Sequence, residues 1–335
     1  MPTARRHFVS APRTAVLFLF FCLACGAVEN PYLAVVEKMA GAVGFYSENG
    51  RELGRVNVGP FPHEAALSSD RRTLYVSDNG VLWMTENSNG TNMISVIDVP
   101  GMRKVKDISL GEFHRPHGIA LIPHSTELLA TMERPFALVR VDPNSGRVLR
   151  VYDIKGKSPH MVIPSPDGAR AFVSDTDSNC VAVVDLKTGA VRLITTGARP
   201  QGAVLSPDGR RLYVVNTNGN TISIIDTASL EVVGTIATGK GPGRIAITPN
   251  GKTLVYNLQF EPGVGFADVA TRKQIAEIPL SGRPLSLTMT RDGKRAFAGI
   301  QNQDKVCFIS VHERRITRIL QLPKGSGPDP SIPLN

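Results

Sequence analysis

The chain has 335 residues, of which 42% are hydrophobic, 20% are charged and 6% are aromatic. This composition excludes a disordered chain, and four cysteines in this length exclude a small scaffold held by disulfides. The 31 glycines and 24 prolines favour many tight turns over long helices. The formal net charge of +9 suggests an acidic partner. The strength of this argument depends on where the charges lie.

The first 27 residues have the pattern of a secretory signal peptide. Three arginines in the first 13 residues precede an apolar run over residues 15–23, and small residues follow as far as Ala27. The run is too short for a membrane span, which takes about 20 residues. We therefore predict cleavage after Ala27, export to the periplasm or the outside of the cell, and no membrane span. A lipid anchor on Cys25 is the alternative.

The remaining residues, 28–335, are predicted to form one domain built from a repeated unit. Each unit carries four short β-rich runs separated by turn residues, as in GAVLS, RLYVVN, TISIID and VVGTIA. Four strands in about 40–45 residues predict a propeller blade. An opening proline recurs at intervals of 54, 43, 41, 42, 42 and 44 residues, at Pro62, Pro116, Pro159, Pro200, Pro242, Pro284 and Pro328.

The two ends of the domain complete a seventh blade. Residues 32–59 supply three strands without a first one, and the tail from Pro328 supplies a single strand. The prediction is an all-β fold, a seven-bladed β-propeller of four-stranded antiparallel blades, whose first blade is closed by the N- and C-terminal strands. Pro330 and Pro333 remove backbone donors, so the closing strand is predicted to be short or irregular, or the first blade to have three strands.

The most regular repeats are SPDGARAFVSDTDSNCVAVVDLKTGAVRLI, at residues 165–194, and SPDGRRLYVVNTNGNTISIIDTASLEVVGTI, at residues 206–236. They resemble the YVTN family of β-propeller repeats. That family is similar to surface-layer propellers, to lactonase-like propellers and to the propeller domains of some quinoprotein and haem d1 proteins. The resemblance implies the propeller fold over nearly the whole domain. It implies no single function, because unrelated activities share this architecture.

Several recurrent residues are predicted to be structural. The Ser-Pro-Asp-Gly turns suit tight hairpins, and an aspartate that ends the third strand of each unit, as Asp226 does, is predicted to bond to the following turn. Glu133 and Asp175, in loops between second and third strands, are predicted to shape turns, with a general-base role as the alternative. Cys180 and Cys307 lie in non-adjacent units and are predicted to be buried free thiols.

The residue after the opening proline departs from the repeat in a way that predicts a site. It is His63, His117 and His160 in three consecutive units, and Gln201 in the next. This residue leads into the innermost strand, which lines the channel of a propeller, so the three imidazoles are predicted to meet at one rim. They predict either polar lining that recognises a ligand or, as the less favoured alternative, a divalent metal site with an open position for water.

Two further features are predicted to face the same rim. The residue before the opening proline is Arg115, Arg199 and Arg283 in alternate units, which favours an anion such as a carboxylate or phosphate, with solvated surface arginines as the alternative. The longest interval carries an insertion over residues 81–91 that holds Trp83, the only tryptophan. Trp83 is predicted either to form a lid or partner contact or to pack on the rim.

Three functions stay open. The favoured one is an exported binding or scaffold protein that recognises a small anionic ligand or a protein partner at the channel mouth, because no strong catalytic constellation is present. The second is a metal-assisted hydrolase or lyase of the lactonase type, using the histidine rim. The third is a redox-associated subunit that handles haem d1 or a quinone. Whether the protein is an enzyme is left open, a monomer is expected, and nucleic acid is not an expected partner because export separates the two.

Overall fold

The computed structural model of the chain describes residues 1–4 and 29–334. Apart from its first four residues, the predicted signal peptide lies outside the described residues. The described chain forms 28 strands and one short 3₁₀-helix, Gln301–Gln303. The strands make seven four-stranded antiparallel sheets, which confirms the predicted seven-bladed propeller. No helix in the described ranges has the length and apolar character needed to cross a bilayer.

Each blade contributes one innermost and one second strand. The innermost strands are β4 (Pro62–Leu67), β8 (His114–Leu121), β12 (Pro159–Pro164), β16 (Pro200–Leu205), β20 (Pro242–Ile247), β24 (Pro284–Met289) and β28 (Pro328–Pro333). The second strands are β1 (Leu33–Glu37), β5 (Thr73–Asp78), β9 (Leu128–Arg134), β13 (Arg170–Asp175), β17 (Arg211–Asn216), β21 (Thr253–Leu258) and β25 (Arg295–Ile300). Neighbouring innermost strands contact one another, and β28 contacts β4, so the ring is closed.

The third and outermost strands complete the blades. The third strands are β2 (Ala42–Tyr46), β6 (Met93–Asp98), β10 (Phe136–Asp142), β14 (Cys180–Asp185), β18 (Thr221–Asp226), β22 (Gly263–Asp268) and β26 (Lys305–Ser310). The outermost strands are β3 (Glu52–Asn57), β7 (Arg103–Ser109), β11 (Arg147–Tyr152), β15 (Val191–Thr195), β19 (Glu231–Ala237), β23 (Lys273–Pro279) and β27 (Arg315–Gln321). Blade 1 consists of β28, β1, β2 and β3, and blades 2 to 7 follow in chain order.

Burial along a blade explains the hydrophobic pattern of its strands. Strands β1 and β2 are buried along their whole length, because both of their faces pack against neighbouring blades, and they are correspondingly rich in Val, Ala and Phe. The outermost strand β23 alternates between exposed and partly buried residues, since it packs on fewer neighbours and faces solvent. The hydrophobic pattern of a strand therefore indicates whether the strand lies inside its blade or at the outer edge of it.

The core lies between blades. Among the described residues, seven hydrophobic clusters each join two neighbouring blades around the ring. Between blades 7 and 1, for example, Tyr46 is clustered with Phe297 and Phe308. Each blade therefore depends on both neighbours for the burial of its faces. Cys180 and Cys307 are buried and free within these layers, as predicted.

Blade 1 is closed by a full strand. β28 pairs antiparallel with β1, from Leu33 opposite Pro333 to Glu37 opposite Pro328, with a register shift between Val35 and Glu37. Pro330 falls within this shift, where a missing backbone donor removes no regular ladder bond. The strand is six residues long and irregular, as its prolines predict, and blade 1 has four strands rather than three.

The chain makes a sharp bend where it enters five of the seven innermost strands. The residue before the opening proline has a positive φ at Phe61 (45°), Arg115 (56°), Arg199 (59°), Gly241 (74°) and Gly327 (56°). This left-handed conformation costs a non-glycine residue about 1–2 kcal/mol, which explains the glycines at two of these positions. At Arg115 and Arg199 the bend places a long cationic side chain at the end of the channel where the innermost strands begin.

Candidate functional site

The seven innermost strands run in the same direction, so their first residues meet at one end of the channel. There they enclose a space of about 230 Å³, here called the channel-mouth cavity. Its wall is formed by Lys38, His63, Leu82, Trp83, Met84, Thr85, His117, His160, Arg199, Gln201, Arg244, Gln259, Arg283, Leu285 and Asp329. Six of the seven residues that follow an opening proline line this cavity. The seventh, Gly243, has no side chain, and Gln259 occupies the space that a Cβ there would need.

The three predicted histidines lie side by side along this wall. The ring centroids of His63 and His117 are 3.9 Å apart, and those of His117 and His160 are 4.2 Å apart. Burial lowers the pKa of all three imidazoles well below its usual value, and the nearby cationic groups lower it further. The row is therefore neutral at neutral pH and offers ring N–H donors and nitrogen acceptors rather than charge.

Lys38 is the first functional side chain that the sequence analysis missed. It follows β1, at the same rim, and is 2% exposed. Its Nζ lies 2.8 Å from Nε2 of His63 and donates a hydrogen bond of 3.4 Å to Oδ2 of Asp329. Burial lowers the pKa of the Lys38 ammonium, whereas the carboxylate of Asp329 opposes this shift. The position of Lys38 in its repeat could have indicated this role, because the residues just after second strands face this rim in every blade.

A second buried ion pair crosses the ring from blade 6 to blade 2. Arg244 donates to Oε1 of Glu64 from Nη2 at 2.6 Å and from Nε at 3.2 Å. The two residues are 8% and 7% exposed. Burial raises the pKa of Glu64, and the guanidinium of Arg244 opposes the rise. A sequence signal existed here too, because only these two units carry a charged residue in the second position after the opening proline.

Arg115 is 1% exposed and lies outside the channel-mouth cavity. Its Nη2 lies 2.5 Å from Oε2 of Glu133 and donates to the carbonyl of Met84 at 2.9 Å, while its Nη1 donates to the carbonyl of Glu86 at 3.0 Å. Both carbonyls belong to the insertion loop, residues 81–91. The structure therefore places this predicted anion-binding residue as the anchor of the loop.

Glu133 also orients the central histidine. Its Oε1 lies 2.7 Å from Nδ1 of His117, and this contact favours the tautomer with the proton on Nδ1. Burial raises the pKa of Glu133, whereas the cation of Arg115 lowers it. Since the carboxylate already has three partners, Arg115, His117 and Asn79, it acts as a positioning group for the histidine row rather than as a free base.

The other predicted rim residues line the cavity. Arg283 donates to Oε1 of Gln259 at 2.9 Å, and Gln259 donates to Oε1 of Gln201 at 3.2 Å. Nη1 of Arg199 lies 3.6 Å from Oδ1 of Asp177, and both of these side chains are partly exposed. Trp83 remains 45% exposed while lying against the rim, where the Nζ of Lys38 is 6.0 Å from its ring centroid.

The charges of the site favour an anion over a cation. Lys38 is paired with Asp329 and Arg244 with Glu64. Arg283, in contrast, has no carboxylate partner within the described part of the chain. Because the histidine row is neutral, the wall has a surplus of positive charge at Arg283, and its guanidinium has the geometry that carboxylates and phosphates bind.

A metal ion at this rim would take its ligands from the same residues. In the described ranges, ligand atoms within 4.8 Å of one another come from His63, Glu64 and His117, a set that leaves out the predicted His160. Lys38 contacts the first of these ligands and Arg244 the second. Two cations at this distance repel a divalent ion and compete for its ligands. The metal site stays a prediction that the electrostatics do not favour.

Fold and site together define a seven-bladed propeller with a cationic, histidine-lined channel mouth. The sequence profile of the YNCE-like β-propeller family matches residues 70–291, which is more than half of the chain. The chain therefore belongs to the YNCE-like β-propeller family. No curated protein matches its sequence.

Solved structures of varied function share the fold. A protein of unknown function from Desulfotomaculum acetoxidans is 14% identical, with a TM-score of 0.77 over 91% of this chain and 99% of that one. The periplasmic gluconolactonase PpgL of Pseudomonas aeruginosa is 16% identical, with a TM-score of 0.73 over 90% and 98%. The dihydro-heme d1 dehydrogenase NirN is 14% identical, with a TM-score of 0.67 over 92% and 76%. These likenesses concern the fold alone.

Proposed function

We propose that this chain is an exported binding protein that holds a small anionic molecule in the channel-mouth cavity. The observation that carries the proposal is the guanidinium of Arg283, which has no carboxylate partner among the described residues and lines the same cavity as a neutral row of three imidazoles. The nearby amides of Gln201 and Gln259 add neutral hydrogen-bonding groups. A bound anion would supply the negatively charged partner for Arg283.

The binding role is preferred to catalysis because the acids of the site are already engaged. Glu64 bonds to Arg244, Asp329 to Lys38, and Glu133 to Arg115 and His117. A carboxylate that acts as general base has to be free to take a proton from substrate, and these three are not. Recognition of an anion needs only the donors that face the cavity.

Trp83 provides a direct test, because it is the only tryptophan and lines the cavity. Titration with butyrate is expected to change its fluorescence saturably, whereas the uncharged analogue butyramide is expected to leave it unchanged. Arg283→Gln is expected to weaken butyrate binding by about tenfold or more, since a charged hydrogen bond contributes about 1.5–3 kcal/mol.

The matched control for this titration is Arg192→Gln, which removes an exposed arginine from β15. This variant is expected to bind butyrate as the unmodified protein does. Equal responses to butyrate and butyramide, or an unchanged affinity in Arg283→Gln, would refute anion recognition at this site.

Metal-assisted hydrolysis is the second candidate, and the grouping of His63, Glu64 and His117 is what favours it. We expect added Zn²⁺ to leave the melting temperature unchanged, because Lys38 and Arg244 occupy this ligand set. The measurement is thermal unfolding with and without zinc after treatment with a chelator. A zinc-dependent rise in melting temperature that disappears in His63→Ala would establish the metal site and overturn this expectation.

Export is proposed from the N-terminal sequence pattern. Expression of the whole chain in a bacterium, followed by fractionation and mass spectrometry, is expected to give an exported protein that begins at Val28. A cytoplasmic protein that retains its first 27 residues would contradict export, and a lipid-modified Cys25 would show an anchor in place of simple cleavage.

A further inference from the structure

A second cavity adjoins the channel mouth. It is here called the side groove and has a volume of about 600 Å³. Four residues line both spaces, namely Leu82, Trp83, Arg283 and Leu285. The channel-mouth cavity and the side groove therefore meet at these four residues.

The side groove is chemically different from the channel mouth. Most of its exposed wall is apolar, and it includes Met39, which is 50% exposed, and Trp83, which is 45% exposed. Apolar side chains that stay exposed in a shared concave surface, on a rigid fold, are typical of a binding surface. The channel mouth offers cationic and amide groups, whereas the side groove offers hydrocarbon.

The charges of the side groove match an anionic molecule. Among the described residues that form its wall, Asp304 is the only acidic one. Oδ2 of this carboxylate accepts from the backbone N–H of Gly325 at 2.8 Å, and Oδ1 accepts from that of Gly327 at 2.7 Å. The carboxylate is thus bound to backbone, and the cationic side chains of Arg283 and Lys324 complete the charged part of the wall.

The wall shared by the two spaces is held in place before any ligand arrives. Leu82 and Trp83 belong to the insertion loop, whose carbonyls at Met84 and Glu86 accept hydrogen bonds from the buried Arg115. A preformed wall reduces the ordering that binding requires.

We propose that the ligand is an amphipathic carboxylate, with its anionic head at Arg283 in the channel mouth and an apolar tail in the side groove. This inference rests on the proposed function and adds the chemical class of the ligand. Arg283 lies on both walls, which puts the head at the junction. Met39 and Leu285 then contact the tail.

The test compares carboxylates of different chain length by isothermal titration. Octanoate is expected to bind about 80- to 250-fold more tightly than butyrate, because each of its four additional methylenes contributes about three- to fourfold when buried. Octanamide, which has the same tail without the charge, is expected to bind much more weakly than octanoate.

A variant confined to the side groove isolates the tail contact. Met39→Asn is expected to lower the affinity for octanoate about fivefold and to leave the affinity for butyrate unchanged, since Met39 lines only the side groove. The control is Leu149→Asn, at a leucine that is 47% exposed on the outermost strand β11; it should affect neither ligand.

The outcomes separate this inference from the proposed function. If octanoate binds no more tightly than butyrate, or if Met39→Asn affects both ligands equally, the apolar tail site is refuted while anion binding stands. If octanamide binds as tightly as octanoate, or if neither carboxylate binds, the inference and the proposed function both fail.

Discussion

Buried charge at the channel mouth is organised residue by residue into pairs. Arg244 with Glu64, Lys38 with Asp329 and Arg115 with Glu133 each place an ion pair where both side chains are less than a tenth exposed. Removing one partner of such a pair leaves an uncompensated charge, which costs about 3–5 kcal/mol. These pairs therefore fix the shape of the rim, whereas Arg283 is left for a ligand.

Replacing Arg115 tests its role as the anchor of the insertion loop. Arg115→Gln is expected to destabilise the protein by about 3 kcal/mol, because Glu133 loses its cation and two loop carbonyls lose a donor. Urea unfolding measures the free energy, and the emission of Trp83 should shift to longer wavelength as the insertion loop loosens. Arg192→Gln, at an exposed arginine of β15 far from the loop in sequence, is the control and should change neither quantity. An Arg115→Gln variant with unchanged stability and emission would contradict the anchoring role.

Asp78 gives a prediction for pH. It lies at the end of β5, where burial raises its pKa to about 7, with Asp107 adding to the rise and a hydrogen bond from Ser95 and the cation of Lys104 opposing it. The unfolded carboxyl titrates near pH 4. Between these values the folded state binds more protons, so this group makes stability fall as pH rises from about 4 to 7, by up to about 4 kcal/mol.

The corresponding variant is Asp78→Asn. It is expected to reduce the loss of stability between pH 5 and pH 8 relative to the unmodified protein, because the amide does not ionise. Unfolding at both pH values measures the difference, with the partly exposed Asp98→Asn as control. The same pH dependence in Asp78→Asn and the unmodified protein would show that Asp78 does not titrate in this range.

Blades are the elements in which the sequence is most informative. A period near 42 residues, with four β-rich runs in each unit, predicted all seven sheets because each blade packs against similar neighbours and needs the same pattern. The aspartates at the ends of third strands have the predicted turn role: Oδ1 of Asp226 accepts from the backbone N–H of Ala228 and of Ser229, at 2.9 and 2.8 Å. Local hydrogen bonding and strand burial are properties that neighbouring residues determine.

The site was only partly predictable for the opposite reason. The three histidines stood out because they interrupt the repeat at one position. The pairing of Arg244 with Glu64 depends on the closure of the ring, which brings together residues 180 positions apart. The apparent anion role of Arg115 depended on the direction of a side chain that the loop carbonyls turn away from the cavity. Such contacts follow from the assembled ring rather than from any one unit.

The closure of blade 1 by β28 can be tested by removing this strand. Removing residues 328–335 is expected to lower the melting temperature by about 10 °C or more, because β1 loses its partner and the ring loses the packing of Ile332. A peptide of residues 328–335, added in excess, should restore part of the loss, and the same peptide with Ile332→Asp should not. An unchanged melting temperature after truncation would refute closure by this strand.

At the scale of the whole molecule, the net charge of +9 can be divided among its parts. Three of the nine net positive charges belong to the predicted signal peptide, and the buried cations of the rim are paired. The surplus that concerns the channel mouth is therefore local, at Arg283. The propeller fold makes such a local concentration of charge possible, because it brings the first residue of every innermost strand to one rim.

The most direct measurement of anion recognition is a crystal structure of the protein soaked with 4-bromobenzoate, in which anomalous scattering locates the bromine. We predict a carboxylate within hydrogen-bonding distance of Arg283 in the channel-mouth cavity, with the bromine directed toward the side groove. A bound carboxylate elsewhere on the surface, with no bromine peak at the channel mouth, would contradict the account.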